Sequence, residues 1–176
     1  MMKHIARFNL VCFLSMGLLL TLTQAKAEVT KEDKVKAAIV YNMIKHVQWP
    51  KKNKTLTLCI IGEGAINREL QKINRKFSEG RRLSVTHKTH SAPLDKLCEL
   101  VYLHSVNNKT TEAVLQKLKN SDVLTISDRE QFAQQGGIIG LYRTGKRIRF
   151  AINRSAAEGA KLSIGDQLLK LAKIIN

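Results

Sequence analysis

Three short apolar runs, separated by stretches of helical spacing, constrain this chain more than any other feature. Leu56-Thr57-Leu58-Cys59-Ile60-Ile61, residues 98–104 and residues 122–126 are of strand length and largely apolar. A half-exposed strand alternates apolar and polar residues, so near-continuous runs point to strands covered on both faces, as in a parallel sheet. The intervening segments supply the covers. Thr30 reads as an N-cap with Asp33 three residues on, and Val35, Ile39, Ile44 and Val47 give a helical spacing that closes at Trp49-Pro50. Ile66, Leu70, Ile73 and Phe77 predict a helix over 66–77 that Gly80 ends, and Ala113, Val114 and Leu118 mark another over 111–118.

The remaining segments complete the pattern. Residues 82–87 alternate through Leu83 and Val85 as a strand, and 129–134 read as a short helix. Residues 138–142 and 147–152 are strand candidates around Thr144-Gly145, most simply a three-residue hairpin with Gly145 at its turn. A last helix is expected over 163–175, with Ile164, Leu168, Leu171 and Ile175 as its stripe. Strands alternating with helices predict an α/β fold, a three-layer α/β/α sandwich with a mostly parallel sheet and a C-terminal antiparallel hairpin.

The N-terminus carries a different signal. Lys3, His4 and Arg7 precede an apolar run over 10–22, and Ala25-Lys26-Ala27 follows it, the small-x-small pattern read by signal peptidase. The run is shorter than the roughly 20 apolar residues that span a bilayer. Residues 1–27 are therefore expected to be a cleaved signal peptide, with Glu28 as the mature N-terminus and 28–176 as a single domain that does not span a membrane. Cys12 leaves with the signal, so Cys59 and Cys98 remain to form one disulfide in an oxidising compartment, with two buried free thiols as the alternative.

Charge follows the same division. Lys3, Arg7 and Lys26 lie in the signal, so the formal net charge of +16 falls to +13 on cleavage. Such a balance would suit nucleic acid, but export separates the protein from most of it and favours anionic partners in the envelope. A solvated basic surface without a partner fits equally. Catalytic motifs are absent: Gly62-Glu63-Gly64 follows a strand but Asn67 stands where a dinucleotide fingerprint needs its third glycine. His87 and His90, three residues apart on a strand, point to opposite faces without other metal ligands nearby. No cofactor, metal or enzymatic activity is expected.

Several blocks, taken in order, carry a resemblance. Lys36-Ala37-Ala38-Ile39-Val40-Tyr41-Asn42, Val47-Gln48-Trp49-Pro50 and Leu58-Cys59-Ile60-Ile61-Gly62 resemble the opening of YfiR-type periplasmic proteins. Leu124-Thr125-Ile126-Ser127-Asp128, Phe132-Ala133, Gly136-Gly137-Ile138-Ile139, Arg149-Phe150-Ala151-Ile152-Asn153 and Leu168-Leu169-Lys170-Leu171-Ala172 are similar to that family's later blocks. The resemblance implies a periplasmic regulator, usually a homodimer, that binds the periplasmic sensor region of an inner-membrane GGDEF-type diguanylate cyclase. It holds that enzyme inactive and so represses cyclic di-GMP synthesis and biofilm formation. The family's late disulfide has no counterpart, because no cysteine follows Cys98.

The partner surface is expected around Phe132, Gly136, Gly137, Ile138, Tyr142, Arg147 and Phe150, with Arg143, Lys146 and Arg149 adding charge at the hairpin. A tight turn explains Gly136-Gly137 as well, and core packing is open to the apolar members. The alternative is a periplasmic small-ligand (solute) binding module feeding another sensor or transporter, its site lined by residues 62–64 and Ser127-Asp128 at strand ends.

Overall fold

The computed structural model describes residues 28–176; the expected signal peptide at 1–27 lies outside the described residues. The first helix, α1 (Lys31–Ile44), starts at a capping box. Asp33 N–H donates to Thr30 Oγ1 at 3.1 Å while Thr30 N–H donates to the Asp33 carboxylate at 2.9 Å. Two backbone donors that a helix start leaves unpaired are thereby satisfied. The helix buries Ala37, Val40, Met43 and Ile44, whereas Val35 is 46% exposed. The buried stripe is thus offset from the one the larger side chains suggested.

Next come β1 (Val47–Gln48), β2 (Thr55–Ile61), α2 (Ile66–Gln71), β3 (Phe77–Ser78), β4 (Arg81–His87), α3 (Leu94–Leu97), β5 (Leu100–Leu103) and α4 (Asn108–Leu118). The chain continues through β6 (Leu124–Ser127), β7 (Ile139–Thr144), β8 (Arg147–Asn153), α5 (Arg154–Gly159), β9 (Ser163–Ile164), α6 (Asp166–Leu171) and β10 (Lys173–Ile175). Eight strands form one sheet in the order β10-β8-β7-β6-β5-β2-β4-β3. Within this sheet the described pairings are parallel except β7–β8 and β3–β4, so it is mostly parallel and carries the expected terminal hairpin.

Alternate residues of the central strands serve opposite layers. Leu58 and Ile60, Leu100 and Tyr102, and Leu124 and Ile126 pack on the side of α1, α2, α5 and α6. Cys59, Ile61, Val101 and Leu103 face Leu94, Val114, Leu118 and Phe132 on the other side. Both faces are covered, as the unbroken apolar runs required, and the three-layer α/β/α arrangement follows. Cys59 and Cys98 are disulfide-bonded within the second layer, with Cα atoms 5.8 Å apart.

Several boundaries differ from expectation. The helix over 66–77 stops at Gln71, because Asn74 Oδ1 accepts Val85 N–H at 3.1 Å and Arg75, at φ 67°, donates its N–H to Leu83 O at 2.8 Å. Phe77 consequently lies on edge strand β3 and is 61% exposed. Residues 129–134 form successive turns instead of a helix, with Gln131 at φ 56°. The hairpin loop holds two residues, since Thr144 pairs with Arg147, and Gly145 takes φ 58° in it. The final helix is broken into β9, α6 and β10: of its expected stripe only Leu168 is buried, while Leu171 is 69% exposed. Isoleucine-rich β10 instead pairs in parallel with β8 and covers that edge. Helices α3 and α5 were not anticipated, and Ala113 faces solvent.

Gly137 shows why the paired glycines are present. A Cβ built on it would stand 2.1 Å from Phe132 Cε1, so the bare backbone lets the aromatic ring lie against β7. Gly136 takes φ 99° to make the turn. Gly137→Ala is therefore expected to lower stability by about 1–3 kcal/mol through overpacking; an unchanged thermal unfolding midpoint would show that the ring has room to move.

Candidate functional site

Burial along the β7–β8 hairpin falls from its base to its tip, so the tip projects beyond the sheet. Cross-strand partners share a face, which places Ile148 and Phe150 with Arg143 and Leu141 on one side and Tyr142 and Arg149 on the other. The first side meets α1 across a groove of about 720 Å³. Its floor is apolar: Val35 and Ile39 of α1, Ile148 and Phe150 of β8, and Leu171 of α6. Basic residues complete its lining: Lys31, Arg143, Lys146 and Arg147, and Arg149 as well, although its ladder position faces the side of Tyr142; Glu32 is an acid among them.

Glu32 leads inward to a polar chain. One of its carboxylate oxygens lies 2.8 Å from Lys36 Nζ and the other 3.4 Å from Arg143 of the rim. Lys36 Nζ also donates to Asp128 Oδ2 at 2.8 Å, and the Asp128 carboxylate holds His104 Nδ1 at 3.0 Å and 3.1 Å. Burial opposes the charged form of Asp128, but hydrogen bonds from His104 and Lys36 outweigh it and lower the carboxyl's pKa. Burial likewise opposes the Lys36 ammonium, yet Asp128 and Glu32 raise its pKa. Among the described residues the buried Tyr102 hydroxyl has no hydrogen-bond partner; burial, then the charge of Asp128, push its pKa well up.

Position in the sheet creates this cluster. His104 and Asp128 follow directly after the adjacent parallel strands β5 and β6, so both emerge at the same carboxyl edge. The glycines after β2 make room for the imidazole. A Cβ on Gly62 would meet His104 O at 1.8 Å, and one on Gly64 would meet the His104 ring at 2.4 Å. Residues 62–64 therefore seat His104, and a cavity of about 290 Å³ beside it is lined by His104, Ser127, Asp128 and Arg129. Ser127 Oγ is turned inward, donating to Leu103 O at 2.8 Å.

The expected partner-binding residues are divided by the fold. Arg147 and Phe150 line the groove beside α1. Tyr142 lies on the opposite face of the hairpin, lining a second groove with Arg129 and Lys173. Gly136 is exposed beside a third cleft, between α4 and α5. Phe132 and Ile138 are 1% and 3% exposed and belong to different core layers, and Gly137 is buried against Phe132. These three offer no side-chain surface to a partner; they are corrected to core positions that hold β7 in place. Val35 and Leu171 of the groove floor were missed as surface residues, because helical spacing assigned them inward, whereas Ile39 packs partly on the core as its spacing suggested.

Among the described residues no group of three or more His, Cys, Asp or Glu stands together to hold a metal ion, and no helix is long and apolar enough to cross a membrane. The fold and its surface define a three-layer α/β protein whose exposed chemistry is an apolar groove with a basic rim. Within that class, the chain belongs to the YfiR/HmsC-like family, whose model matches residues 33–173. Two solved structures share the fold. A conserved domain protein from Vibrio cholerae O1 biovar El Tor aligns with TM-score 0.56 at 13% identity, over 82% of this chain and 60% of that one. An ABC domain from Streptococcus pneumoniae, solved with L-Trp, aligns with TM-score 0.55 at 10% identity, over 82% of this chain and 60% of that one. The chain spans three-fifths of the length of each.

Proposed function

We propose that this protein is a periplasmic regulator that binds the periplasmic sensor region of an inner-membrane GGDEF-type diguanylate cyclase and represses cyclic di-GMP synthesis and biofilm formation. Membership of the YfiR/HmsC-like family supports the role, and the groove between α1 and the hairpin is the observation that carries the contact surface. An apolar floor ringed by cations suits an amphipathic acidic segment, with desolvation at the centre and charge pairing at the rim. In this reading residues 1–27 are removed on export and 28–176 work as one domain, assembled as a homodimer.

Val35 and Leu171 are exposed apolar anchors whose replacement leaves the core intact. Val35→Asp combined with Leu171→Asp is expected to weaken binding of the cyclase's periplasmic region by about 2 kcal/mol, roughly thirtyfold. In cells, the same variant should raise cyclic di-GMP as deletion of the gene does. Wild-type repression by this variant, at normal abundance and with the cyclase expressed, would remove the groove from the mechanism. Unchanged cyclic di-GMP on deletion would remove the regulatory role itself.

A further inference from the structure

The edge of the sheet farthest from the groove carries a second cationic surface. Residues 68–88 hold seven basic and two acidic side chains. Both acids are engaged locally: Glu69 with Lys72 at 2.7 Å and Glu79 with Arg81 at 3.7 Å. Arg81 is further spent on Trp49, its guanidinium 5.0 Å from the ring centre. Arg75, Lys76 and Arg82 are exposed and have no ion pair among the described residues. Lys45 joins them from the end of α1, because Tyr41 Oη donates to Phe77 O at 3.1 Å and places its ring under two ammonium groups, Lys45 at 4.2 Å and Lys76 at 5.0 Å. Exposed Lys54 accepts the Arg82 N–H at 3.0 Å through its carbonyl.

In the middle of these cations stands Phe77, paired across the ladder with Arg82 and exposed along most of its ring. Charge alone would protect a sheet edge, and β3, two residues long, is too short to template another strand. Edge protection does not call for an outward aromatic ring. A single exposed apolar side chain beside cations from four segments, none of them in an ion pair among the described residues, matches a headgroup plane, where the ring enters the acyl boundary and the cations remain at phosphate level. A lipid surface offers phosphate to every cation without requiring a shaped partner.

We infer that the β3–β4 edge, through Phe77, Lys45, Arg75, Lys76 and Arg82, docks the protein on anionic phospholipid. The inference does not rest on the cyclase reading. Six strand steps of about 4.8 Å separate β3 from β8, so docking leaves the groove facing away from the lipid-bound edge by about 29 Å. Helix α1 joins the two surfaces, with Lys31 at the groove and Lys45 at the edge.

The test uses the chain from Glu28 onward, which contains every described element, so that the apolar run at 10–22 does not contribute. Co-sedimentation is expected with phosphatidylglycerol-containing vesicles, not with pure phosphatidylcholine, and it should weaken as salt shortens the screening length from about 10 Å at 0.1 M. Lys76→Glu with Arg82→Glu should lower vesicle affinity at least tenfold, Lys76→Arg with Arg82→Lys should preserve it, and Phe77→Ser should reduce it while leaving its salt dependence. Arg147→Glu with Arg149→Glu, at the hairpin, should bind as wild type. Unchanged binding by the Lys76/Arg82 charge reversal, or loss in the hairpin variant alone, would overturn the proposal. So would capture by inorganic polyphosphate without any binding to phosphatidylglycerol vesicles.

Discussion

Asp128→Ala is expected to lower the unfolding free energy by about 3 kcal/mol, measured by denaturant titration near neutral pH. The substitution leaves two partly buried groups without the carboxylate that holds them, His104 Nδ1 and one contact of Lys36 Nζ. The lower end of the usual range for a broken buried pair applies because Lys36 keeps Glu32 at 2.8 Å. Lys36→Met should cost less, since Asp128 retains His104. The double variant should fall short of the sum of the singles, because both remove the same contact.

The pH dependence has a definite sign. Asp128 titrates in the folded protein below its ordinary value of 3.8, so the stability it contributes is present above that pH and is lost as pH falls through the lowered folded value. Lys36 titrates above its ordinary 10.5, so its contribution is present below that pH and lost as pH rises through the raised folded value. Asp128→Ala should therefore flatten the acid limb of the stability profile. If the variant matches wild type in both midpoint and acid limb, the cluster contributes nothing net to the fold.

Loss of the Cys59–Cys98 bond should have an effect of similar size. The bond spans a sequence separation of 39, and closing a loop of this length restrains the unfolded chain by about 4 kcal/mol in the chain-entropy account. Cys59→Ala with Cys98→Ala should lower the denaturation midpoint accordingly, and reductant should shift wild type toward the variant but leave the variant unmoved. Alanine is preferred to serine here, because both sulfurs lie among apolar side chains and a buried hydroxyl would add its own cost. Two titratable thiols in the untreated protein, found by mass spectrometry after alkylation, would sink this prediction.

What could be read in advance divides along physical lines. Buried strands announced themselves, since β2, β5 and β6 must be apolar on both faces, and the capping box of α1 was written in Thr30 and Asp33. Spacing failed where it is shared by helix and turn. Ile66, Leu70 and Ile73 are all buried, yet the helix ends before Ile73 because Asn74 gives its side chain to Val85. At the C-terminus, Leu171 and Ile175 kept helical spacing, but an open sheet edge at β8 captured the last strand.

The polar cluster shows the same limit. Asp128 and residues 62–64 stood out at strand ends, while His104 and Lys36 did not, because Lys36 meets Asp128 across a separation of 92 residues that only the sheet order brings together. One signal was available: Gly62 follows the first apolar run, His104 ends the second and Asp128 stands two residues beyond the third. In a parallel sheet such positions gather at one edge. The groove floor was less legible, since exposure of Val35 and Leu171 depends on where the hairpin tip ends.

The small ladder between β1 and β9 has a consequence in time. Val47 pairs with Ile164 and Gln48 with Ser163, so the segment that follows the first helix is held by residues near the end of the chain. Gly165 reinforces this clasp by donating its N–H to His46 O at 2.8 Å. A chain emerging N-terminus first, from a ribosome or through a membrane pore, carries α1 unlatched until residues 163–165 arrive. Assembly is then a whole-chain event with long loops to close, and such topologies fold slowly. Until the clasp forms, the segment that leaves α1 at residues 46–48 lacks its backbone partners.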